Sequence, residues 1–275
     1  MLFNLSNIYI EAIFLTFIIT IILTAYIYSS VPAIICYLSM ILFFTSNSGT
    51  DILWYYSLLI ISFPFVFKIL SEERCTPRGR FLSWFLASYG IAALIITLRA
   101  IIFSPVAAIV FNSYFSLLYM IDRAFYKNTC TYGIFNRPFN IIRTLGITFI
   151  NFIFSFSFWS AHPTLGWHLL QEYAVVLLLI AMAIRMFWFI DQNFASIIFG
   201  GSFMFSIICY ALSLSTWSFM PATILGLENL YSILIGVALI IKGLEKNNRM
   251  LQFGGIFNIL ILVLAQGFNI VFKFV

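Results

Sequence analysis

The chain has 275 residues, 63% of them hydrophobic and 8% charged, with a mean hydropathy of +1.07 and a net charge of +5. Soluble globular domains carry roughly 25% charged residues, so this chain has too little polar surface to face water. That excludes a soluble enzyme, a disordered protein, a nucleic-acid reader and a secreted disulfide scaffold, and leaves an integral membrane protein with almost nothing outside the bilayer.

A membrane-spanning helix needs roughly 20 apolar residues. In chain order the apolar runs predict ten spans, at about 8–29, 31–47, 52–70, 81–102, 104–121, 140–160, 168–190, 193–213, 222–242 and 252–272. The first run lacks a basic leader and an A-x-A-type cleavage site, so it reads as a span and not as a signal peptide. Ser29-Ser30-Val31-Pro32 makes the first turn, and Thr45 to Asp51 is a polar loop. Ser104-Pro105 divides the long 81–121 run, Asp191-Gln192-Asn193 separates spans seven and eight, and Met220-Pro221 opens span nine. The expected fold is therefore all-α: a polytopic integral membrane helix bundle of about ten transmembrane helices, with no soluble domain and a single membrane domain over 1–275. An eight-span alternative would have to merge two adjacent hairpins, such as the short second span with the third.

The basic residues orient this map. With alternate loops on one side, that side collects Lys68, Arg74, Arg78, Arg80, Arg123, Lys127, Arg137, Arg143, Arg185, Lys242, Lys246 and Arg249, and the other only Arg99 and Lys273. By the positive-inside rule both termini lie on the non-cytoplasmic (non-matrix) side of a bacterial cytoplasmic membrane or an organelle inner membrane. Five spans in each half permit inverted repeats, but residues 1–121 and 140–275 show no likeness to each other.

The four cysteines are Cys36, Cys75, Cys130 and Cys209. Cys36 and Cys209 lie in apolar runs, where a buried thiol is the default. Cys75 and Cys130 lie in basic loops, and a disulfide is not expected there because the basic side normally faces a reducing compartment. No Cys/His spacing suits zinc, and no metal or cofactor is expected.

Ionisable groups near the non-cytoplasmic side form the candidate site. His162 is in the loop after span six, and His168 and Glu172 open span seven at i, i+4, on one helix face. Arg99 ends span four, Glu228 lies in the outer part of span nine, and Glu11 near the start of span one. Charged groups within spans rarely face lipid, so each implies a partner or a water-filled cavity. Arg99, His162, His168, Glu172 and Glu228 are thus candidates for a transport or polar-cluster site, with structural pairing of Arg99 to Glu172 or Glu228 as the simpler use. In span ten, Asn258 and Gln266 are spaced for hydrogen bonding to a neighbouring helix. Gly200-Gly201-Ser202, Gly226 and Gly236 offer small surfaces for close packing.

Several chemistries are excluded by counting. Two histidines cannot hold two haems across a membrane or build a three-histidine metal hydrolase. No later histidine serves as base for Ser202. The Glu72-Glu73-Arg74 loop lacks the spacing of an intramembrane CAAX-type protease. Gly166-Trp167-His168 with Arg185 loosely resembles a late helix of cytochrome oxidase subunit III, but Gln171 stands where that family repeats histidine, and the likeness is not carried further.

Three functions follow from these readings. The first is a multi-pass, structural subunit of a larger membrane complex, whose partners are the bilayer, other membrane subunits and a soluble protein at the basic loops 71–80 and 122–139. The second is a transporter or channel for an ion or small solute. The third is a membrane enzyme acting on a lipid-linked substrate; no catalytic motif marks it, and no nucleic-acid partner is expected.

Overall fold

A computed structural model describes residues 5–27, 29–46, 52–73, 75–98, 105–126, 137–154, 194–213 and 220–273. All regular structure among them is helical: α1 Leu5–Ile27, α2 Ser30–Ser46, α3 Ile52–Glu73, α4 Pro77–Thr97, α5 Pro105–Tyr126, α6 Pro138–Phe154, α7 Phe194–Gly200, α8 Ser202–Ser213, α9 Met220–Glu245 and α10 Arg249–Lys273. Every expected span except 168–190 contains a helix, and 168–190 lies outside the described residues. Expected span eight is two helices, α7 and α8, bent by 49° at Gly201.

Length and apolarity bear out the span count only in part. Two described stretches, Pro77–Ile96 and Thr223–Glu245, are long and apolar enough to cross a membrane, and the bent α7–α8 pair is a third if taken as one span. The other apolar stretches, such as Glu11–Ile27 and Arg249–Leu264, run only 10–17 described residues. The described helices therefore carry two to three spans by this measure and do not reach ten.

Helix starts follow local chemistry. Thr76 caps α4: its Oγ1 accepts from Gly79 N at 3.1 Å, and Pro77 occupies the first turn, where a missing N–H costs nothing. Pro105 and Pro138 open α5 and α6 in the same way. Between α9 and α10, Asn247 takes a left-handed φ of 47°, which asparagine tolerates better than most residues. The Asn248 N–H then closes on the Gly243 carbonyl at 2.7 Å, and Asn248 Oδ1 accepts from Met250 N at 3.0 Å to start α10.

The chain forms two compact units, Met1–Ala100 with Ile121–Ile142, and Ile101–Met120 with Arg143–Val275. In the first, α1 packs chiefly on α2, and α2, α3 and α4 pack on one another. Ala33, Met40, Ile69, Leu82 and Ala87 are buried there. Tyr37 meets Tyr89 edge-on at 4.9 Å and accepts a hydrogen bond from Ser62 Oγ at 3.2 Å. At the ends of the 122–139 connection, Arg137 Nη1 lies 3.9 Å from Asp122 Oδ2.

In the second unit, α9 and α10 form a tight antiparallel hairpin, with α7 and α8 against α9. Glycine sets the hairpin's closeness: a Cβ on Gly236 would stand 3.0 Å from the Gly255 carbonyl oxygen and 2.6 Å from Ile259 Cγ1. The expectation for Gly236 holds, but Gly226 has open space around it and packs on nothing described. Gly146 plays the same part in α6, where the Phe115 ring occupies the volume a Cβ would need.

The surface differs from that of a water-soluble protein, and the largely apolar core holds polar groups as well. Large apolar side chains point outward along α1 and α10, with Leu15, Ile22, Phe253 and Phe257 exposed, while Asn112, Ser202, Ser206 and Glu228 are buried. Most hydroxyls in the helices are satisfied at home: Thr16, Thr20, Thr24, Ser39, Ser83 and Thr148 each donate to the carbonyl four residues back. A helix in an apolar medium needs this, because no water is present to take the bond.

Cysteine chemistry departs from expectation in one place. Cys36 and Cys209 are buried free thiols, as expected, but Cys75, in the turn between α3 and α4, is disulfide-bonded. The remaining cysteine, Cys130, lies outside the described residues. Oxidised sulfur and the positive-inside rule thus assign this loop to opposite compartments.

Candidate functional site

Of the sequence-predicted site residues, Arg99, His162, His168 and Glu172 lie outside the described residues. Glu228 is described, in the third turn of α9. It is 1% exposed, inside the second unit.

Three helices converge on it. Ala108 of α5, Cys209 of α8 and Ile224 of α9 form one buried apolar cluster. One turn further along, each helix turns polar. Asn112 follows Ala108 by four residues, Ser206 precedes Cys209 by three, and Glu228 follows Ile224 by four, so each shares a face with its apolar neighbour. Asn112 Nδ2 donates to Ser206 Oγ at 2.7 Å, and Ser206 Oγ donates to the Ser202 carbonyl at 3.1 Å. The Cys209 thiol donates to the Glu228 carboxyl. The Asn112 amide and the Glu228 carboxyl therefore both attach to one face of α8, a single turn apart.

Oxygens in this core remain without a hydrogen-bond partner: Asn112 Oδ1, Ser113 Oγ, Ser116 Oγ and Glu228 Oε2, all buried. Buried polar atoms are bonded in the great majority of cases, so a group of exceptions needs a physical account.

A cation is buried in the same unit. Arg143 is 1% exposed, with its guanidinium 4.0 Å from the centre of the Tyr119 ring and 5.4 Å from that of Phe199. Lys242 Nζ approaches Phe199 at 5.4 Å as well. Aromatic faces stabilise a cation by about 0.5–2 kcal/mol, more when water is excluded. Arg143 was expected among the loop cations on the basic side, and its burial among rings corrects that placement. Arg143, Glu228 and Cys209 all lie within electrostatic reach of the Tyr231 phenol.

Tyr231 links this core to the broken helix. Its ring stacks on Phe205 at 4.0 Å, and its hydroxyl donates to the Ile198 carbonyl at 2.6 Å. Ser202 Oγ donates to the Phe199 carbonyl at 3.3 Å. Carbonyls in the last turn before a helix break lose helical donors and need others. Gly200-Gly201 thus acts less as a packing surface than as the break itself, held open by side-chain donors.

The α9–α10 seam is polar too. Asn258 Nδ2 donates to the Ser232 carbonyl at 2.9 Å, Gln266 Nε2 to Asn229 Oδ1 at 2.9 Å, and Ser232 Oγ to the Asn151 carbonyl of α6 at 3.3 Å. The interhelical role expected of Asn258 and Gln266 is thereby confirmed, at about 0.6 kcal/mol per bond. Missed in sequence were Asn112, Cys209 and Arg143. Ser202, Ser206 and Cys209 at i, i+4, i+7 were a readable polar stripe; Arg143 carried no such signal.

No family model matches the sequence, and neither a curated protein nor a solved structure matches it. Among the described residues no group of three His, Cys, Asp or Glu side chains is placed to hold a metal ion. What the geometry offers is a buried carboxyl, amide and hydroxyl set able to bind a proton or another small cation.

Proposed function

We propose that this protein is a polytopic membrane protein of about ten spans, both termini on the non-cytoplasmic side, acting as an embedded structural subunit of a larger membrane assembly. The observation that carries the assembly is Gly254. It lies exposed on α10, with open space where a Cβ would stand, in a shallow apolar groove between Phe253, Ile256, Phe257 and Leu260. An interior helical glycine costs about 1 kcal/mol relative to alanine, and a helix that meets only lipid tails gains nothing in return. Glycine between bulky neighbours on an outward face suits the close approach of another transmembrane helix. Native-mass measurement after mild solubilisation tests this. The expected result is a complex with other membrane subunits that Gly254→Leu dissociates without unfolding the chain; a stable lone monomer overturns it.

A second reading, transport of an ion or small solute, is favoured by the break at Gly201. Discontinuous helices beside buried polar groups are how many transporters build a site at membrane depth, and irregular backbone survives there only where protein or a cavity lines it. Flux across reconstituted vesicles, lost in Glu228→Gln, supports this reading; unchanged flux removes it.

A further inference from the structure

We infer that Glu228 is a proton-exchange site inside the second unit, built with Cys209, Ser206 and Asn112. Its use rests on the transport reading, but binding at the site stands apart from it. A structural buried carboxyl has both oxygens engaged. Glu228 has one oxygen on the Cys209 thiol, and Oε2 is without a partner. The vacant valence lies in a core that also leaves Asn112 Oδ1, Ser113 Oγ and Ser116 Oγ unused.

Both protonation states find support in this core. Ionised, the carboxylate keeps the Cys209 S–H as donor. Neutral, it gains one O–H donor, one turn of α8 away from the amide whose Asn112 Oδ1 has no partner. The reaction is loss or gain of one proton, exchanged ultimately with water, and the charge left behind on Glu228 keeps the Cys209 S–H as its donor. The titratable or charged groups around it are Cys209 from α8, Arg143 from α6 and Tyr231 on its own helix. From α5 it is Asn112 that bonds to α8, and from α10 the uncharged Asn258 and Gln266 hydrogen-bond to α9. Tyr231 also holds the Ile198 carbonyl before the helix break, so a charge change at Glu228 is felt beside that break.

Dicyclohexylcarbodiimide is the probe. It partitions into apolar regions and adds to a protonated carboxyl to give a stable N-acylurea, retaining every atom of both reactants. The full-length protein in liposomes is labelled over a pH series, and the modified peptide is read by mass spectrometry. Expected is one reagent mass on Glu228, falling by about tenfold per pH unit above a midpoint. The label is absent in Glu228→Gln and kept in Glu228→Asp, and Asn112→Ala moves the midpoint. No label in a wild-type protein whose helical circular dichroism is intact overturns the inference. So does a label indifferent to pH, or one displaced by sodium but not by choline, which marks a metal-cation site. Labelled Glu228 in vesicles without flux removes transport and keeps the site; flux with an unlabelled Glu228 does the reverse.

Discussion

Ser206 shows how much one hydroxyl carries in an apolar interior. It accepts from Asn112 and donates to its own helix, so both its roles are filled. Ser206→Ala strands a buried amide donor, at a cost of about 1–3 kcal/mol, whereas replacing both partners by apolar groups is far closer to neutral. Thermal unfolding should therefore show Ser206→Ala as destabilised, and the Ser206→Ala/Asn112→Leu double variant as partly restored. If the double variant is less stable than either single one, the bond is not what Ser206 contributes. Residues at this scale were legible in sequence only when their spacing spoke for them. Asn258 and Gln266, eight apart, announced a shared face. Arg143 did not, because a cation five residues into a helix looks like a surface anchor. What buries it is Tyr119 and Phe199, rings distant in sequence whose approach no local pattern encodes.

At the scale of elements, apolar runs and Pro-marked starts placed the helices well, since both signals are local. Ser104-Pro105 and Met220-Pro221 each sit where a helix begins, whereas the starts at Pro77 and Pro138 fall a few residues ahead of the spans expected from 81 and 140. The roles of glycines were harder to read, because a glycine looks alike in a seam, at a break and on an open face. Gly236 and Gly255 sit where the α9 and α10 backbones touch, and Gly226 faces open space. Gly236→Ala or Gly255→Ala should each cost about 1–3 kcal/mol by forcing the hairpin apart. Gly226→Ala should instead be neutral or stabilising by up to about 1 kcal/mol. Fluorescence-monitored thermal unfolding of the three variants in one detergent checks the order, and equal losses at all three positions would contradict the packing described.

For the whole molecule, composition established an apolar, helical chain, and burial agrees: large apolar side chains are exposed as well as buried among the described residues. The count of spans is less accessible, because it depends on where lipid ends as well as on where helices end. Parity supplies a test that needs no count. An even number of spans puts both ends of the chain on one side. Small epitope tags at residues 1 and 275 should therefore be recognised from the same face of sealed vesicles. Recognition from opposite faces would remove or add one span, and with it the separation of twelve cations from two.

The oxidised sulfur at Cys75 reaches beyond topology to the handling of the protein. Reductants are added to most membrane preparations by habit. Here they would cut a covalent tie at the turn joining α3 to α4 and leave a looser molecule. Gels run with and without reductant, after trapping free thiols in intact membranes, should come before any choice of purification buffer.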